Sequence, residues 1–398
     1  MSKCLICKEK LREFLDLGKQ PSANNFLTYE DLKNDEFKYD LKLGYCSYCK
    51  VSQIIDGPSK KTMFHDDYAY HTSVNKPMVD HFHEFANKIK GTLSANDFIV
   101  EIGSNDGAFL ENFIEHYHVG VEPCKNVAKI AKDKGINCIE DFFNDDLANE
   151  LVETHDYAKL IYAANVIGHA EDINSIISGV KCLLDDEGIF VFEIYYLPSI
   201  IEDLQFDLIY DEHVFYHTLT SINNMLDAHG LELYDYEQLT VHGRSIRGYV
   251  THKDAKKITH RLHEQLRNER AQGYTTINPL IEFSNRIKSM RENIISEISS
   301  IYEKGFRIVG YGATAKSTTM MNYCDLGKYV DYIVDSTPAK QHKWTPGTHV
   351  AIFNEAKFEF DPPDYVIIFA WNYADSIMKK NSNYTGKWII LGEKVRII

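Results

Sequence analysis

A chain of 398 residues, 44% hydrophobic and 25% charged, has the length of two or three domains and the composition of an ordinary globular protein. Its 43 Lys and Arg against 58 Asp and Glu leave a formal net charge of -15, which repels phosphate backbones and anionic lipid and argues against nucleic acid as a partner. No apolar run has the roughly 20 residues of a membrane span or the form of a signal peptide, so no membrane association is expected and the cytoplasm is the expected compartment.

The first block, residues 1–70, holds two Cys-x-x-Cys knuckles, Cys4 with Cys7 and Cys46 with Cys49, separated by 38 residues. Four thiolates fill a tetrahedral zinc site and leave no position for water, so a structural Zn2+ is expected. The long gap requires a small sheet or loop excursion that returns the second knuckle to the first. Cys124, Cys138, Cys182 and Cys324 lack such pairing and are expected in the core.

The second block, 71–255, alternates helical patterns with apolar runs at Asp97 to Ile102, Val119 to Glu122, Leu160 to Asn165 and Ile189 to Ile194. That alternation predicts a parallel sheet with crossover helices, an α/β Rossmann-like domain. After the first run come Gly103-Ser104-Asn105-Asp106-Gly107, then an expected helix from Ala108 to Phe113; Glu122 lies 19 residues past Gly103. The glycines permit a tight turn and close ligand approach, and Glu122 is positioned to accept ribose hydroxyls. A dinucleotide is disfavoured, because Gly-x-Gly-x-x-Gly is absent and Glu101 and Asp106 would repel a pyrophosphate. The same carboxylates suit a sulfonium and an ammonium, so S-adenosylmethionine is the expected cofactor. Asn165 ends the fourth strand beside it, and Phe142 or Phe143 is expected to pack on adenine.

Between the last sheet strands, Tyr210, Glu212 and His213 crowd together, with His217 close behind. An imidazole near its ordinary pKa accepts a proton at neutral pH, and a neighbouring Glu or Tyr can orient it. Residues 256–303 read as a helical connector, with Phe283, Ile287, Met290, Ile294, Ile298 and Ile301 along one face. In 304–398 strands are expected at Phe306 to Gly310, Tyr329 to Val334 and Tyr365 to Ala370, a smaller Rossmann-like unit. Gly310, Gly312 and Lys316 sit on its first turn, which reads either as an anion site for a nucleotide diphosphate or as a turn serving only the fold.

Over nearly its whole length the chain resembles the three-domain sugar C-methyltransferases that modify nucleotide-linked keto-sugars in antibiotic and surface-polysaccharide pathways. The resemblance rests on the paired knuckles, Tyr68-x-Tyr70, Glu101-x-Gly-Ser-Asn-Asp-Gly107, Asn165-Val-Ile-Gly-His169, Tyr210-Asp-Glu-His213, His242-Gly243 and Gly310-Tyr-Gly-Ala-x-Ala-Lys316. It implies carbon methylation beside a ketone of a nucleotide-sugar, with His213 as general base, Tyr210 and Glu212 alongside, and His169 and Tyr70 lining the site. Tyr68, His242, Arg244, Gly312 and Lys316 then fall on the substrate side. Arg244-Ser245 departs from the small residues expected after Gly243, where Arg244 either crowds the sugar or contacts a phosphate. Sugar O-methylation and a non-catalytic nucleotide-sugar-binding role are the competing readings, and a monomer or weak homo-oligomer is expected.

Overall fold

In the computed structural model, which describes residues 2–59, 71–241 and 243–398, the strands form three sheets of four, seven and six strands. Tyr68, Tyr70 and His242 lie outside the described residues. The gap between the knuckles is a β-hairpin: Leu11–Pro21 pairs antiparallel with Lys38–Cys46, in a register that sets Leu11 opposite Cys46. This is the predicted sheet excursion, and it returns the second knuckle to the start of the first strand. Lys38–Cys46 then pairs with Ser52–Ile55, which pairs in turn with Phe215–Tyr216 from far along the chain.

The seven-stranded sheet carries five parallel strands, Ile99–Ile102, His118–Val121, Cys138–Ile139, Ala158–Ala164 and Leu184–Ile194. In space they run third, second, first, fourth, fifth. An antiparallel hairpin of Leu231–Gln238 and Ile246–His252 completes the edge beyond the fifth. The order reverses between Ile99–Ile102 and Ala158–Ala164, and at such a switch point the loops leaving the two strands part to form a crevice. Each predicted strand is present, with ends displaced by up to five residues. The helix expected over Ala108 to Phe113 is instead a 3-10 turn over Leu110–Phe113, all of it after a glycine at φ 79.

Leading into this sheet, the helix Lys76–Lys90 is clamped down by a buried ionic cluster. Glu193 receives bonds from Arg247 Nη2 at 2.6 Å and Tyr162 Oη at 2.8 Å and lies 2.8 Å from His81 Nε2, while the Arg247 guanidinium covers the Phe85 ring. All six apolar positions of the expected connector stripe are buried on one helix, Asn278–Glu303. The C-terminal sheet repeats the central plan. Ile308–Tyr311 lies between Ile333–Val334 and Tyr365–Ile368, both parallel to it, so a second switch point opens beside Gly312. The predicted strand at Tyr329 to Val334 shrinks to its last two residues, because Tyr329 closes the turn that precedes it, its N–H donating to the Leu326 carbonyl. Cys124, Cys138 and Cys324 are buried as expected, but Cys182 is only half-buried at a helix end, where its Sγ meets Asn149. No helix among the described residues is long and apolar enough to cross a membrane.

Candidate active site

The sulfur atoms of Cys4, Cys7, Cys46 and Cys49 all lie within 4.8 Å of one another. Each knuckle closes in the same way, with a lysine just after its second cysteine, Lys8 or Lys50, at φ 64 and donating its backbone N–H to the first cysteine's carbonyl. Two identical turns thus aim four sulfurs at one point. Cys4 is held down to about 5, chiefly by a hydrogen bond with Cys49, and burial pushes Cys46 up to about 11. A divalent cation favours the thiolate at all four positions, which is the chemistry of a closed structural zinc site.

At the central switch point the carboxyl end of Ile99–Ile102 opens into the predicted turn. Gly103 and Gly107 have φ 69 and 79, and a methyl group on either would lie 2.5 Å from Val166 or 2.1 Å from Ile136, so both positions require glycine on two counts. Three carboxylates converge behind the turn, with Glu101, Asp106 and Glu122 each no more than 5% exposed. Burial, reinforced by Asp106 and Glu122, pushes Glu101 well above the usual carboxylate range, and its Oε2 is a buried oxygen without a hydrogen-bond partner among the described residues. Glu122 is also raised by burial, although its two oxygens accept from the backbone N–H groups of Asn105 at 2.9 Å and Cys124 at 2.8 Å. A buried acidic cluster beside a half-exposed glycine turn is relieved by a cationic ligand, so these residues fit the sulfonium and ammonium of S-adenosylmethionine.

Asn105 and Asp106 also hold the chain that enters the domain. Asn105 Oδ1 accepts from Thr72 N at 3.0 Å, and Asp106 Oδ2 accepts from Ser73 N at 3.0 Å and Ser73 Oγ at 2.5 Å. Of the adjacent aromatic pair, Phe142 is 43% exposed, whereas Phe143 is buried against Gly179 in the core. The expectation that either ring serves therefore narrows to Phe142, because Phe143 has no face to offer.

Across the switch point, Asn165 adopts φ 57 and donates its N–H to the Glu193 carbonyl, and Val166 packs on Gly103. The loop continues to His169, whose ring centroid lies 4.9 Å from that of His213. The His213 ring is further bracketed by Tyr210 at 3.9 Å and Tyr195 at 4.1 Å. One short loop thus separates the Gly103 to Gly107 turn from the imidazole cluster. His213 Nδ1 lies 2.6 Å from the Leu208 carbonyl, which can only accept, so Nδ1 carries the hydrogen and the neutral ring keeps its lone pair on Nε2. Glu212 is buried and accepts from Asn24 Nδ2 at 2.7 Å.

His217 takes no part in this cluster. It is fully buried, bonds Ser221 through Nδ1, and burial lowers its pKa to about 3. The unfolded chain protonates this residue near 6.5 and the folded chain does not, so stability falls with pH between about 6.5 and about 3. The slope is roughly 1.4 kcal/mol per pH unit. A His217→Asn variant is expected to show a shallower acid limb in urea unfolding midpoints taken from pH 7 to pH 4; an unchanged limb rules out this origin.

On the substrate side, Arg244 has φ 66 and is paired with Glu202 at 2.7 Å and Asp203 at 2.9 Å, which neutralises it locally. Lys316 Nζ lies 4.6 Å from the Trp371 ring centroid, and Trp371 Nε1 donates to Asp207 Oδ2 at 2.6 Å, which couples the C-terminal unit to the central one. The Gly312 turn is internally satisfied: Asp335 accepts from Ala313 N, and Thr314 and Ser317 form a capping box. Tyr195, Asn24, Thr72, Ser73 and the Asp207–Trp371 pair are the site residues that motif reading missed. Tyr195 alone had a local signal, its place just beyond the fifth parallel strand.

Three family models match in succession: "Putative zinc binding domain" at residues 4–64, "Methyltransferase domain" at 70–236 and "C-methyltransferase C-terminal domain" at 240–391. A curated relative, the C-methyltransferase NovU of Streptomyces niveus, is 29% identical over 408 aligned positions that span 100% of this chain and 97% of its own. Among solved structures, the CcbJ methyltransferase of Streptomyces caelestis overlays 49% of this chain and 100% of its own at 14% identity and a TM-score of 0.37. Magnesium protoporphyrin IX methyltransferase of Synechocystis PCC 6803 with bound SAH overlays 45% and 88% at 10% identity and 0.35.

Proposed function

We propose, from the three family models matched in succession and the C-methyltransferase relative at 29% identity, that this chain is an S-adenosylmethionine-dependent C-methyltransferase whose substrate is a nucleotide-linked 4-keto-deoxysugar, methylated at the carbon beside the ketone. S-adenosylmethionine, when bound, supplies an electrophilic methyl group. His213 Nε2 takes the proton from the carbon acid, and the electron pair of the broken C–H bond passes into the enolate. Tyr210 and His169, whose ring centroids lie 3.9 and 4.9 Å from that of the imidazole, donate hydrogen bonds to the developing enolate oxygen in this reading. Glu101, Asp106 and Glu122 balance the positive charge of the donor, and Asn165 and Phe142 border its seat. Tyr70 and Tyr68 precede the Thr72–Ser73 tether to the cofactor turn in sequence, and we assign them to the substrate side together with His242, Gly312 and Lys316.

The observation that carries this reading is the 2.6 Å contact of His213 Nδ1 with the Leu208 carbonyl, which puts the hydrogen of the neutral imidazole on Nδ1 and leaves Nε2 as its basic nitrogen, one loop away from the Gly103 to Gly107 turn. The test is deuterium wash-in: protein, a nucleotide-linked 4-keto sugar and S-adenosylhomocysteine are incubated in D2O, so that deprotonation occurs without transfer. Deuterium at the carbon beside the ketone is expected. No exchange there, with methyl label recovered on a sugar oxygen in a turnover assay, would establish O-methylation instead.

A further inference from the structure

The N-terminal block does not complete its own sheet. Its last edge is taken by Phe215–Tyr216, with Ser52 opposite Tyr216 and Gln53 opposite Phe215, and Ile54 N donates to the Val214 carbonyl. That strand begins two residues after His213. On the other side of His213, Asp211 Oδ1 accepts from Ala23 N at 3.1 Å and Glu212 Oε1 accepts from Asn24 Nδ2 at 2.7 Å. Residues 23 and 24 follow directly from the first hairpin strand, and Ala23 is further held by Thr318 Oγ1, which donates to its carbonyl at 2.8 Å. The link to the knuckles is short: Leu5 N, inside the first knuckle, donates to the buried Gln53 side chain at 2.9 Å.

We propose that the zinc-binding block is the positioning element of the active-site segment, and that Asn24 is its positioning residue, setting the orientation of Glu212 beside the His213 base. This rests on the reading of residues 210–213 as the catalytic segment. The amide N–H of Asn24 points at a buried carboxylate, and a donor so placed restrains the carboxylate's rotamer. Without that donor Glu212 loses one of the bonds that orient it next to the His213 position.

The test compares Asn24→Ala with Asn24→Asp in the full-length, zinc-loaded protein, measuring kcat, KM for S-adenosylmethionine and zinc content. Asn24→Ala is expected to lower kcat about tenfold, the worth of a hydrogen bond to a charged group, with KM for the methyl donor within about twofold of the parent. Asn24→Asp is expected to be worse, because it keeps the shape of asparagine but sets carboxylate against carboxylate. A residue that merely filled space would give the opposite order, with the isosteric Asp milder than Ala, and that order or an unchanged kcat overturns the proposal. If Asn24→Asp does not fold, Asn24→Ser decides: a shorter donor should recover part of the activity lost in Asn24→Ala, and no recovery overturns the proposal. Activity surviving in His213→Ala would defeat the reading of the segment itself. An inactive His213→Ala alongside a fully active Asn24→Ala would defeat this inference alone.

Discussion

Replacing His213 with Asn is expected to lower kcat by about 10²- to 10⁴-fold, the usual worth of a positioned general base, while S-adenosylmethionine still binds. Asparagine is the informative choice because its amide nitrogen can take the place of Nδ1 and keep the bond to the Leu208 carbonyl, while nothing replaces Nε2. The ring's stacking against Tyr195 and Tyr210 is lost only in part, so the local fold should persist. Cofactor binding is expected to survive because the turn proposed to hold it, Gly103 to Gly107, is built on a different strand, and among the described residues the Asn165–His169 loop lies between it and His213. Calorimetry with S-adenosylmethionine and a stopped assay with a 4-keto nucleotide-sugar separate the two effects. A variant with near-parental kcat would remove His213 as the base, and one that no longer bound the cofactor would show that the two sites are not separately supported.

The parts of this site that sequence made legible share one property: their chemistry is local. The glycines at 103 and 107, the strand-end Glu122 and the two knuckles each declare themselves within a few residues, because a tight turn or a thiolate pair needs fixed residue types at fixed spacing. The apolar stripe from Phe283 to Ile301 was readable for a similar reason, since a helix of 26 residues repeats its pattern enough times to be unambiguous. What stayed hidden is made of long-range pairs. Asn24 and Glu212 are 188 positions apart, and Phe215–Tyr216 is a strand of only two residues whose partner lies in another domain. No periodicity marks a two-residue strand, and no spacing rule links an asparagine after a hairpin to a glutamate in another unit. The demotion of Phe143 to the core has the same origin, because which of two adjacent aromatics faces out depends on the helix packed behind them.

Removal of the metal is the second large effect. The protein should carry about one zinc per chain, and a structural zinc is worth roughly 10–16 kcal/mol of apparent binding energy in small domains, far more than the hairpin of the N-terminal block could supply alone. Chelation should therefore disorder the block, and the four-stranded sheet shows where the damage spreads. Its edge strand is Phe215–Tyr216, so hydrogen-exchange protection should be lost at the Ser52 to Ile54 amides and with them at the pairing to residues 215 and 216. Binding of S-adenosylmethionine should remain, because among the described residues the strand beneath Gly103 to Gly107 pairs with His118–Val121 and Ala158–Ala164 and not with that block. Turnover should vanish nonetheless, because Asp211 and Glu212 lose Ala23 and Asn24. Loss of turnover with cofactor binding intact separates a metal that shapes the active site from one that merely tethers an independent domain. Full activity after zinc is stripped would mean that residues 210–216 hold their geometry without the sheet they complete.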